Sequence, residues 1–61
     1  MNIKHVEIKR KKSLKELQTL ESKTYTLFDH SQYIQDMKRA EYLRGQISLY
    51  EDIMIDLMEE Q

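Results

Sequence analysis

The chain has 61 residues, no cysteine, no proline and one glycine, and its 10 lysines and arginines nearly balance 11 aspartates and glutamates. That length allows one small domain, spanning residues 1–61, and leaves a lone monomer short of buried surface. Disulfides and thiolate metal sites are excluded, so oligomerisation is the remaining way to reinforce so small a scaffold. No apolar run reaches the ~20 residues of a membrane span, and the first twelve residues lack the apolar core of a signal peptide. The expectation is a cytoplasmic protein with no membrane role.

The near absence of glycine and proline biases the chain toward helix. The balanced charge conceals two unlike halves. Residues 1–23 carry seven cations against three acids, and the remainder carries three cations against eight acids.

Residues 1–12 form a basic segment read as either helix or arm. As a strand, Val6 and Ile8 share a side, but Ile3 and His5 spoil the alternation. As a helix, Ile3, Val6, Arg10, Leu14 and Leu17 align at steps of three and four. Ser13 followed by Glu16 has the capping-box spacing, which predicts a first helix over residues 13–28. Leu14, Leu17, Leu20, Thr24, Leu27 and Phe28 supply its apolar face. If the box does not form, one helix runs through from Ile3.

Residues 29–31 are the predicted turn, with Asp29 or Ser31 capping a second helix over residues 32–60. That helix carries apolar residues at Tyr33, Ala40, Leu43, Ile47, Tyr50, Met54 and Leu57, one face of a long stripe. Gly45 falls on its polar face. Two stripes of similar extent joined by a short turn predict an all-α antiparallel two-helix hairpin. In that register Leu27 meets Tyr33, Leu17 meets Leu43 and Val6 meets Met54. It also sets the basic segment beside Glu51, Asp52, Asp56, Glu59 and Glu60, so the two charged ends compensate.

The apolar arc of the second helix is wider than one neighbour covers. Tyr42, Leu49 and Ile53 form an adjoining strip, and Met58 is a further apolar candidate. A second copy covering that strip gives a homodimer, a four-helix bundle. In length and turn position this reading resembles the Rop-type hairpin dimers, a likeness of architecture that carries no motif and no RNA binding.

The function that follows is interaction with another macromolecule. A regulator, an adaptor or a phage-type inhibitor of a host protein fits, acting through Tyr42, Leu49, Ile53 and Met58 on itself or on a cognate protein. The alternative is a nucleic-acid binder that uses Lys4, Lys9, Arg10, Lys11 and Lys12 against phosphates. The order basic strand, helix, turn, helix resembles that of the ribbon-helix-helix DNA-binding dimers, with Lys4, Val6, Ile8 and Arg10 lining the strand. The chain departs from that pattern in having no glycine at the turn, a longer first helix and an overrunning second one.

No catalytic constellation and no cofactor motif is present. His5 and His30 lie far apart with no second histidine at helical spacing, so no zinc site is expected. Asp52, Asp56 and Glu59 share a face, which reads as a solvated acidic row.

Overall fold

A computed structural model describes residues 2–59. Ninety per cent of the described residues are helical, and none of them is in a strand. Helix α1 spans Ile3–Glu21, and α2 spans His30–Glu59. A short 3-10 turn at Leu27–Asp29 leads into α2.

The basic segment belongs to α1. Its start is fixed by Asn2, whose backbone is extended and whose Oδ1 accepts the Lys4 N–H at 2.8 Å. That satisfies one of the amides a helix start leaves unpaired. The predicted box at Ser13 therefore does not form. Ser13 lies in mid-helix and is buried.

Helix α1 ends at Glu21, seven residues before the predicted end, without a glycine. Residues 22–26 read Ser-Lys-Thr-Tyr-Thr, in which every residue but Lys23 is a weak helix former. The Ser22 hydroxyl folds back to donate to the Thr19 carbonyl at 2.9 Å, and the Ser22 and Lys23 amides close the final turns. A new start follows at once. The Thr26 hydroxyl accepts the Phe28 N–H at 3.3 Å, and the Asp29 carboxylate accepts the Thr26 N–H at 3.0 Å. This is a reciprocal cap one turn earlier than the Asp29 or Ser31 cap expected from the sequence. The reversal thus occupies residues 22–26 rather than 29–31, and α2 begins at His30 rather than residue 32. The predicted helix end at residue 60 lies outside the described residues.

Cross-seam contacts run in opposite directions along the two helices. Arg10 pairs with Glu51, Glu16 with Arg39 and Lys23 with Asp36. The helices are therefore antiparallel. The rod measures 51 × 14 × 13 Å. Leu17, Ala40, Leu43 and Ile47 make the core, with Leu14 and Leu20 packed against it. Leu43 is 1% exposed, and Val6, nearer the open end, is fully covered.

The tip departs from the expected packing. Leu27 and Phe28, placed by their spacing on the apolar face of the first helix, are 96% and 97% exposed. They sit beyond the end of α1, in the 3-10 turn, so Leu27 does not pack on Tyr33. Tyr25 takes that place, its ring edge-on to Tyr33 with centroids 5.2 Å apart.

Candidate functional site

Three features of the hairpin bear on function: a hydrogen-bonded carboxylate at the seam, an apolar flank on α2, and the outer face of α1. The carboxylate was not singled out by the sequence analysis. Asp36 occupies the apolar stripe of α2, four residues before Ala40, and is 8% exposed. Burial of an ionised group is tolerated only with partners, and Asp36 has three. Its Oδ2 accepts the Tyr25 hydroxyl at 2.7 Å and the Lys23 ammonium at 3.2 Å, and its Oδ1 accepts the Gln32 amide at 2.8 Å.

These bonds favour the ionised form. The Tyr25 hydrogen bond, then that of Gln32, then Lys23, hold the Asp36 carboxyl below its ordinary value. The same Asp36 bond pushes the Tyr25 hydroxyl up to about 12. Both shifts move away from neutrality, the reverse of what an acid–base pair working near pH 7 requires. The arrangement ties the connecting segment to α2. A signal for it was legible: Gln32 and Asp36 stand at helical spacing, and Asp36 interrupts an otherwise apolar stripe.

Tyr42, Leu49 and Ile53 fall on one flank of α2, away from the seam. Tyr42 is 53% exposed, Leu49 57%, and Ile53 is half-buried. Tyr42 is braced in place. The Arg39 guanidinium stands 5.1 Å from its ring centroid, and its hydroxyl accepts from Gln46 at 2.6 Å. Arg39 is itself held by a two-pronged pair with Glu16 at 2.5 and 3.0 Å, which lowers the Glu16 carboxyl pKa.

Met58 does not join this strip. Sixteen residues separate it from Tyr42, and at 3.6 residues per turn that places it about 160° around the helix. By the same count it falls in line with Ala40 and Ile47, toward the end of the seam, while the exposed Met37 and Ile55 lie on the opposite flank. On that flank two grooves border the seam. One of about 200 Å³ lies among Leu20, Tyr25, Tyr33 and Met37, and one of about 320 Å³ among Leu14, Leu17, Ile47 and Ile55. Arg44 borders both. Periodicity of α2 alone could not reveal these grooves, because they need α1 as their second wall.

The outer face of α1 carries the basic residues. Arg10 turns toward α2, with its Nε 3.9 Å from a Glu51 oxygen. Lys4, Lys9, Lys11 and Lys12 are exposed and form no ion pair among the described residues. The expected compensation between the charged ends therefore rests on one close pair, and Glu60 lies outside the described residues. Ile8 is exposed between these lysines. The strand needed by a ribbon-helix-helix dimer is absent, since Lys4, Val6, Ile8 and Arg10 are helical and Val6 is buried.

Among the described residues no group of three or more histidines, cysteines or acids gathers to hold a metal, and no helix is long and apolar enough to cross a membrane. A side chain built on Gly45 would meet open space, so this glycine serves no close approach within the chain. Fold and surface together define a helical hairpin whose second helix leaves apolar side chains exposed on both flanks of the seam. No protein-family model, curated protein or solved structure matches the chain.

Proposed function

We propose that the chain is an interaction module without catalysis, a regulator, adaptor or phage-type inhibitor that works by binding another macromolecule. Its first partner is a second copy of itself in a four-helix bundle. The observation that carries this reading is the exposed flank of Tyr42 and Leu49, continued by Ile53. Full burial of a large apolar side chain is worth about 1.5–3 kcal/mol, and these residues, half covered already, stand to gain roughly half of that each. A tyrosine already braced by Arg39 and Gln46 loses little freedom when a partner docks.

Leu49→Asp tests it. The charge falls on the flank and leaves the Leu17–Leu43 seam untouched. The expected result is a wild-type dimer at micromolar concentration by sedimentation, and at least tenfold weaker association in the variant, the equivalent of about 1.4 kcal/mol. A wild type that sediments as a monomer removes the homodimer and leaves the strip as a docking surface for a different protein.

A second reading is favoured by the unpaired lysines on the outer face of α1. Lys4, Lys11 and Lys12 on the outer face of α1, with Lys9 at its edge, suit the phosphates of a nucleic acid. With all four at duplex phosphates, the log–log slope of affinity against salt is about −3 to −4. Changing the four to glutamine should abolish binding. Failure of the wild type to bind duplex DNA or RNA at low salt ends this second reading.

A further inference from the structure

The hairpin tip poses a problem that the flank does not solve. Leu27 and Phe28 are adjacent, large and almost wholly exposed. Apolar side chains of this size are seldom left so bare in pairs without a use. They are also held firmly. The Thr26–Asp29 cap fixes the 3-10 turn, and the Thr26 hydroxyl donates a further bond to Asp29 at 3.0 Å. Behind the turn, Lys23 and Tyr25 are anchored on Asp36. The tip is therefore a short apolar projection on a braced base.

A recess stands at the same end of the rod. The groove of about 200 Å³ lies among Leu20, Tyr25, Tyr33 and Met37. Tyr33 and Met37 follow Phe28 by five and nine residues, so along α2 the groove lies roughly 7–14 Å behind the projection at 1.5 Å per residue. We infer that the hairpin tip is a self-association site, in which Leu27 and Phe28 of one chain enter this groove on a second copy. A projection and its recess on one surface patch are what a two-fold contact requires, because each chain offers both halves and the contact closes. Two tips sliding past each other by about two helical turns bring both pairs together.

Two further observations select a second copy over a bilayer. Lys23, the nearest lysine in sequence, is committed to Asp36. No arginine lies between residues 11 and 38 to meet anionic headgroups. Size also limits the strength of the contact. An aromatic residue buries about 150–250 Å², so two tips and their recesses reach the order of 1,000 Å², in the range of transient contacts. The tip dimer is accordingly weak and concentration-dependent. It uses none of Tyr42, Leu49 or Ile53 and stands independently of the flank.

Leu49→Asp is the background for the test, since it blocks the flank. In that chain, sedimentation over rising concentration should still show a monomer–dimer equilibrium. Adding Leu27→Ser and Phe28→Ser should weaken it at least tenfold, with helicity unchanged because neither side chain supports the fold. Cross-linking gives a second readout, because the chain has no native cysteine. A Phe28→Cys chain oxidised with a Met37→Cys chain should give a mixed disulfide in excess of that from a Gly45→Cys control. The proposal is overturned if association is unchanged by the serine pair, or if the Leu49→Asp chain is monomeric throughout. It is equally overturned if the mixed disulfide does not exceed the control. Loss of binding to phosphatidylcholine vesicles in the serine variant, with no self-association to lose, would assign the tip to a bilayer instead.

Discussion

Leu43→Ala should melt the hairpin far below the parent chain. Leu43 is 1% exposed at the centre of a core of four buried residues. Truncating a buried leucine removes its transfer energy and leaves a cavity, together about 2–5 kcal/mol. In a domain of this size each kcal/mol moves the melting temperature by roughly 4–8 °C, so the drop is about 10 °C or more. A two-helix hairpin has no second layer that can collapse into the space. Thermal melting followed by circular dichroism checks it. The contrast is Phe28→Ala, which removes a larger side chain from a 97% exposed position and should leave the melting point of the monomer within a degree or two. Equal effects at the two positions would mean that the seam is not where these residues place it.

The seam was legible because it rests on spacing alone. Leu14, Leu17 and Leu20 on one helix and Ala40, Leu43 and Ile47 on the other repeat at steps of three and four, and the antiparallel register follows from two stripes of similar length. The ends of the helices were harder to read because they rest on local hydrogen bonds that several residues could make. Ser13 with Glu16 has the spacing of a capping box, as does Thr26 with Asp29. Only the second pair closes, since Asn2 already caps the helix that contains Ser13. That one choice moved the reversal forward and took Leu27 and Phe28 out of the core. Met58 was grouped with Tyr42 because both are apolar, although the turn of the helix separates them. Asp36 was missed for a different reason. A carboxylate in an apolar stripe looks like an interruption until its partners are known, and two of them lie on the connecting segment whose path the spacing does not fix.

Asp36 accordingly supplies the second large effect, which is on the path of that connecting segment. Asp36→Ala leaves Lys23 and Tyr25 without their acceptor and opens a gap in the stripe. Its melting temperature should fall by several degrees. Asp36→Leu continues the stripe of Ala40 and Leu43 instead. Replacing a buried charge by a well-packed apolar residue is often neutral or stabilising, so this variant should melt at or above the parent. Both variants should release the connecting segment, seen as faster amide exchange over residues 22–26 and as a tyrosine that ionises earlier. In the parent, Tyr25 is held up to about 12, so one of the four tyrosines should titrate late by ultraviolet absorbance. Either substitution should return it toward its ordinary value of 10. The pH dependence follows from the two shifts. The folded state lowers the Asp36 pKa from 3.8, so its contribution is complete above that value and is lost as the pH falls below it. The folded state raises the Tyr25 pKa, so its contribution is complete below pH 10 and is lost as the pH rises toward 12. The parent should therefore lose stability on both sides, and the Asp36→Leu chain should lose less on each. A late-titrating tyrosine that persists in Asp36→Leu would break the link between the two residues and, with it, the account of how the connection is tied to α2.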